Sequence, residues 1–220
     1  MLVRDQRGGH APAVGGVGPA PLGVYFHVPF CASRCDYCAF ATWTDRAHLM
    51  SEYVEACRAD VRRSCVGLSP ATSVFFGGGT PSLVPSGLLV SLLGEVRLAP
   101  GAEVTVECNP ESVSPSSLVS YRRAGGTRVS FGVQSMVPHV LASLGRQHGV
   151  RSVVRAVGWA RDAGFETFNI DLIYGAAGES LDDLRSTLAA VEALSPPHVS
   201  AYALTVEPGT VLARVPSRWP

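Results

Sequence analysis

Residues 24–38 read Val24-Tyr25-Phe26-His27-Val28-Pro29-Phe30-Cys31-Ala32-Ser33-Arg34-Cys35-Asp36-Tyr37-Cys38. A short run of β-branched and aromatic residues is a strand signal. Pro29 ends the run, and three cysteines follow within eight residues. Reactive side chains on a loop directly after a strand are the layout of α/β barrels, which build their sites from the loops that follow the strands.

Further strand-like runs lie at 73–76, 103–107, 128–133, 167–173 and 198–204, rich in Val, Ile, Phe and Tyr and bounded by Gly, Pro or Asn. Helical periodicity fills spaces between them. In 49–66, Met50, Tyr53, Val54, Cys57, Val61 and Cys65 recur at three-to-four spacing. In 180–194 the stripe is Leu181, Leu184, Leu188, Val191 and Leu194, and Ser180 with Asp183 forms a capping-box-like start. The helix at 151–163 stops at Gly164, a natural C-cap. Six β–α alternations predict an α/β fold, a parallel sheet with helices on one or both faces, best fitted by a partial TIM-like (β/α)6 barrel.

The chain has 220 residues, 46% hydrophobic and 16% charged, which excludes an intrinsically disordered chain. Eighteen basic and eighteen acidic residues balance, so phosphate attraction does not drive binding and nucleic acid is not an expected partner. Every basic residue is Arg, which excludes chemistry that needs a Schiff-base or P-loop lysine. The start is Gly/Ala/Pro-rich without the apolar core of a signal peptide. The uncharged stretch 64–94 is broken by Pro70, Pro81, Pro85 and the Gly77-Gly78-Gly79 run, so no membrane span is expected. The expected organisation is a flexible segment 1–22, a core domain 23–206 and an irregular tail 207–220, in a cytoplasmic protein with reduced thiols.

Cys31, Cys35 and Cys38 carry the strongest chemical signal. Three cysteinates on one loop bind three corners of an iron–sulfur cube and leave the fourth iron open. A structural zinc site is the alternative, within a non-catalytic α/β binding module. It needs a fourth ligand, and His27 and Cys108 are the candidates, neither at a usual spacing. Three core thiols grouped by chance are the remaining reading. Cys57 and Cys65 fall on an apolar helix stripe and read as core.

Taken with Phe76-Gly77-Gly78-Gly79-Thr80-Pro81-Ser82, Glu107-Cys108-Asn109-Pro110, Ser130-Phe131-Gly132-Val133-Gln134-Ser135, Leu144-Gly145-Arg146-Gln147-His148 and Asn169-Ile170-Asp171-Leu172-Ile173-Tyr174-Gly175, the cysteine loop resembles the radical S-adenosylmethionine (SAM) family. More narrowly it resembles the branch holding oxygen-independent coproporphyrinogen III oxidase and HemW-type heme chaperones. Ser200-Ala201-Tyr202-Ala203-Leu204-Thr205 and Glu207-Pro208-Gly209-Thr210 extend the match, which covers roughly residues 23–214. The resemblance implies a radical SAM barrel, with a [4Fe–4S] cluster on Cys31, Cys35 and Cys38 and SAM on the open iron. It places Tyr25, Tyr37 and Phe40 beside SAM, Gly77, Gly78 and Gly79 against its methionine end, and Thr80 among the residues that bind the cofactor. Glu107 is implied at the ribose. Gln134, Arg146 and Asp171 match positions that contact a second SAM in the oxidase branch. The lone imidazoles of His27, His148 and His198 are equally compatible with core hydrogen bonding.

Within the branch, the oxidase group usually carries a fourth cysteine two residues after the third, and this chain has Phe40 there. Phe40 argues against coproporphyrinogen oxidation and for the heme-chaperone group. That group implies heme or a porphyrin as ligand, heme-accepting respiratory proteins such as membrane cytochromes as partners, and an electron donor. The family continues past the sixth strand into a C-terminal domain with a His-Asn-x-x-Tyr-type motif. The sequence holds no such motif, so this chain is expected to lack part of the heme or substrate site.

Overall fold

The computed structural model describes Leu2–Val3 and residues 20–220. Most of the segment expected to be flexible lies outside the described residues. Strand β1 (Leu2–Val3) pairs antiparallel with β2 (Leu22–Val28). Strands β3 (Ala71–Gly78), β4 (Leu98–Cys108), β5 (Arg128–Gln134), β6 (Thr167–Tyr174) and β7 (His198–Ala203) follow, and β2 to β7 pair in parallel in chain order. Each predicted strand is therefore present. β4 begins at Leu98 rather than at residue 103, and the β3–β4 register shifts between Ala71 and Ser73. β7 ends the sheet, so the barrel is partial and open.

Helices α1 (Met50–Ser64), α2 (Ser86–Leu93), α3 (Pro115–Arg123), α4 (Pro138–Ser143), α5 (Val150–Asp162) and α6 (Leu181–Ala193) lie in the connections. Helix α5 buries Val153, Ala156, Val157 and Ala160, one stripe at helical spacing. It stops as the sequence predicts. Gly164 takes φ +85°, its N–H reaches the Arg161 carbonyl, and the Phe165 N–H reaches the Ala160 carbonyl, a Schellman closure. Helix α6 opens on the predicted Ser180–Asp183 capping box. Helix α3 opens on a second one, Ser114–Ser117, with Pro115 at its first position.

The strands have two chemically different faces, because successive side chains point opposite ways. Val24, Phe26, Val28, Val74, Phe76 and Phe131 face the helices and are buried. The alternate positions (Tyr25, His27, Gly77, Glu107, Ser130, Asp171) face the barrel interior, which is therefore largely polar. The apolar face holds the barrel together, and the polar face is left for a ligand. The tail forms 3₁₀ turns at Leu212–Arg214 and Pro216–Arg218 and folds back, with Leu212 buried and its N–H bonded to the Asp36 carbonyl at 2.8 Å. No helix among the described residues is long and apolar enough to cross a membrane.

Candidate cofactor cavity at the strand ends

A cavity of about 320 Å³ opens at the C-terminal ends of the strands. Cys31, Cys35 and Cys38 line one side of it. Their loop is pinned at its base: the Trp43 N–H bonds to the Pro29 carbonyl at 2.8 Å, and the Cys31 N–H bonds to the Trp43 carbonyl at 3.1 Å. At the middle, the Cys38 N–H turns back to the Cys35 carbonyl. The backbone of β3 closes against the same loop. The Gly79 N–H donates to the Val28 carbonyl and the Thr80 N–H to the Phe30 carbonyl, at 2.7 and 2.8 Å. A Cβ on Gly79 would sit 2.7 Å from the Phe30 oxygen and 3.0 Å from Cys31 Sγ, so only glycine allows this approach.

Among the described residues no three Cys, His, Asp or Glu side chains converge closely enough to share a single ion. The three thiols line one side of the cavity, and three thiolates on one loop match in number and chemistry three corners of a [4Fe–4S] group. A closed structural zinc site would need a fourth protein ligand. Burial, with the Cys35 and Cys31 sulfurs nearby, pushes the Cys38 thiol up.

The opposite wall is polar. Glu107, at the end of β4, accepts the Gly78 N–H on Oε2 at 3.1 Å. Burial raises its carboxyl to about 7, and the Asp171 charge adds to the rise. Asp171 sits in the apolar run Ile170–Ile173 of β6 with neutral partners on both oxygens. Ser130 Oγ donates to Oδ2 and Asn169 Nδ2 to Oδ1, each at 2.8 Å. Gln134 closes β5 with φ +67°, beside a register shift between Gly132 and Gln134. The bulge turns its amide into the cavity, with backbone strain held by the surrounding sheet.

Arg146 is the densest contact. Its Nη2 donates to Asn109 Oδ1 at 2.8 Å and to the Gly132 carbonyl at 2.9 Å, and its Nη1 lies 3.4 Å from Cys35 Sγ. Its Nε donates to His148 Nδ1 at 3.3 Å. His148 Nε2 lies 3.0 Å from the Val133 carbonyl, which can only accept, so Nε2 carries the proton and Nδ1 is free to accept. Burial and the adjacent guanidinium lower the His148 pKa, which keeps the ring neutral despite Glu111 at 3.6 Å.

The structure thus brings together the three cysteines, Tyr37, Phe40, Gly78, Gly79 and Thr80 with Glu107, Gln134, Arg146 and Asp171 around one cavity. Tyr37 is tightly enclosed, and burial drives its phenol pKa strongly upward. Phe40 stands at the rim with 61% of its surface exposed. Tyr25 lies beside the wall residue Glu107, each within 3.0 Å of where a Cβ on Gly77 would stand. Its ring stacks on Phe75 with centroids 6.0 Å apart, and its hydroxyl pairs with His27 Nδ1. His27 Nε2 holds the Ala41 carbonyl at 2.9 Å, so it braces the far end of the cysteine loop. His198 opens the edge strand β7, where it is exposed and pairs with Asn169 Oδ1. Asn109 is a wall residue to which the sequence reading gives no role. The only hint is its place between the strand-end Glu107 and Pro110, which holds the preceding residue extended.

A model of the radical SAM superfamily matches residues 25–191, and the chain belongs to that superfamily. Its curated relatives narrow the likeness. The chain is 49% identical over 205 residues to the heme chaperone HemW of Mycobacterium tuberculosis, covering 88% of this chain and 52% of that protein. It is 37% identical over 203 residues to HemW of Escherichia coli, covering 89% and 54%. The chain spans about half the length of these relatives. Among solved structures, the coproporphyrinogen III oxidase HemN from Escherichia coli, described as a radical SAM enzyme, matches with TM-score 0.79 at 25% identity, over 90% of this chain and 47% of that one.

Proposed function

We propose that the chain binds a [4Fe–4S] cluster through Cys31, Cys35 and Cys38, with SAM beside it, and works as a HemW-like heme chaperone in the cytoplasm. The carrying observation is that one cavity gathers all three thiols, the close glycine backbone at Gly79 and the acceptor Glu107. When bound, the cluster supplies a reducing electron for cleavage of the SAM sulfonium, drawn from an electron donor. The protein's part is to hold and shield. Three thiolates leave one iron for the amino and carboxylate groups of SAM. Gly78 and Gly79 let the methionine end approach the backbone, and Glu107 offers acceptor oxygens to the ribose hydroxyls. Asp171, fixed by Ser130 and Asn169, and Gln134 add polar anchors on the far wall, and Arg146 adds one beside Cys35.

Heme or a porphyrin is the proposed cargo and respiratory proteins the acceptors, by likeness to the relatives named HemW. Coproporphyrinogen oxidation is the second reading, supported by likeness to HemN, and Phe40 at the fourth-cysteine position weighs against it. Electron paramagnetic resonance of anaerobically reconstituted, dithionite-reduced protein tests the site. A [4Fe–4S] signal that changes on adding SAM is the expected result, and zinc without acid-labile sulfide would overturn it. A heme titration then separates the roles: a saturable shift of the Soret band supports the chaperone, whereas SAM-dependent porphyrinogen turnover supports the oxidase.

A further inference from the structure

Two of the three cysteines are joined by one chain of side-chain hydrogen bonds. Thr80 Oγ1 donates to Cys31 Sγ across 3.7 Å. Asn109 Nδ2 donates to Thr80 Oγ1 at 3.1 Å, which commits the hydroxyl hydrogen to the sulfur. Asn109 Oδ1 accepts from Arg146 Nη2 at 2.8 Å, and Arg146 Nη1 points at Cys35 Sγ from 3.4 Å. One carboxamide therefore orients both sulfur donors, using its NH₂ toward one and its oxygen toward the other. Asn109 is itself fixed, because its backbone N–H is held by Ser82 Oγ at 3.2 Å. His148 completes the arrangement by holding Arg146 Nε from behind.

We propose that Asn109 is a positioning residue that sets the reduction potential of the cluster by aiming Thr80 and Arg146 at the Cys31 and Cys35 sulfurs. The inference rests on the cluster reading of the previous subsection. Reduction adds negative charge to the cluster and its thiolates, so donors and a buried cation aimed at sulfur stabilise the reduced form and raise the potential. Asparagine suits the position because it is both donor and acceptor, and an apolar or acidic residue breaks at least one arm.

The test is an EPR-monitored redox titration of the reconstituted protein, with iron content measured in parallel. Asn109→Ala is expected to keep its iron while the ratio of reduced to oxidised cluster at fixed poise falls about tenfold, equivalent to about 59 mV for a one-electron couple. Thr80→Val, which only exchanges hydroxyl for methyl, should shift the potential in the same direction by less. It decides the matter if Asn109→Ala does not hold iron. A loaded wild type with unchanged potentials in the variants would overturn the inference alone. A wild type that holds no cluster would overturn the cluster reading together with it.

Discussion

The Arg218 guanidinium meets the Asp36 carboxylate at 2.7 Å, joining the turn Pro216–Arg218 to the middle of the cysteine loop. Asp36 lies between Cys35 and Tyr37, and Leu212 holds its carbonyl as well. The third side is closed by Gly145, where a Cβ would stand 2.9 Å from Asp36 Cγ. Arg218 is 31% and Asp36 25% exposed, so solvent screens part of their attraction. Arg218 also donates to the Ser143 carbonyl, tying α4 into the same joint.

Arg218→Ala should therefore loosen the loop more than it weakens the fold. Global stability is expected to fall by about 1 kcal/mol, the scale of a partly exposed pair with one further hydrogen bond. Amide exchange at residues 35–38 should quicken about fivefold, the same energy expressed as local opening. Hydrogen-exchange mass spectrometry of the peptide covering the loop measures this. Unchanged protection there would show that the tail merely rests on the loop.

Glu107 gives the protein a pH dependence of known sign. Its folded-state pKa of about 7 exceeds the ordinary value of 4.5, so the folded state holds this proton more tightly than the unfolded chain. The folded form binds more protons between those two values, and stability falls as pH rises through the window. The full effect is on the order of 3 kcal/mol, present below pH 4.5 and lost above about 7. Glu107→Gln keeps an acceptor for the Gly78 N–H and removes the titration. Urea unfolding of the cluster-free proteins should show the variant gaining stability over wild type as pH rises from 4.5 to 8. A difference that stays flat would mean that Glu107 is solvated and ordinary.

The six strands are legible in the sequence because their helix-facing residues are β-branched or aromatic and lie between Gly, Pro and Asn. Asp171 is legible because a charge inside Ile-Asp-Leu-Ile needs a reason. The sequence reading does not single out the short helices α2, α3 and α4, since two turns cannot display a period. Tyr25 shares the inward face with His27, but alternation alone does not report depth. The tyrosine stacks on Phe75 and its hydroxyl pairs with His27, contacts that the strand pattern does not report. Asn109 and Ser130 act through partners far away in the chain, and Arg218 meets Asp36 across 182 residues. Such contacts carry no local signal. Nor do the three prolines of the tail suggest how tightly it folds back.

Gln134 stores strain that glycine would release. A non-glycine residue at φ +67° costs about 1 kcal/mol or more. Gln134→Gly is expected to raise the unfolding free energy by about 0.5 kcal/mol, net of the greater freedom glycine has in the unfolded chain. It should also weaken ligand binding in the cavity, because the inward amide is gone. Denaturant unfolding and SAM titration by calorimetry read the two effects separately. A variant that is less stable than wild type would place the strain elsewhere.

Two glycine-to-alanine substitutions should have opposite signs. At Gly79 a methyl group would press on the Val28 and Phe30 carbonyls at 2.9 and 2.7 Å and on Cys31 Sγ at 3.0 Å. Two of these neighbours are backbone and cannot swing away, so the strand end and the cysteine loop must separate. Overpacking of this kind costs roughly 1–3 kcal/mol. It also displaces the Gly79 N–H from the Val28 carbonyl, the bond that sets the distance between the two walls. At Gly87, in α2, an added Cβ meets nothing within 4 Å. There alanine only improves helix propensity, by somewhat under 1 kcal/mol. Thermal unfolding should rank Gly87→Ala above wild type and Gly79→Ala below it. Reconstituted Gly79→Ala should lose iron to a chelator at least tenfold faster, while Gly87→Ala should match wild type. Equal iron retention in the two variants would mean that the glycine backbone does not shape the cysteine loop.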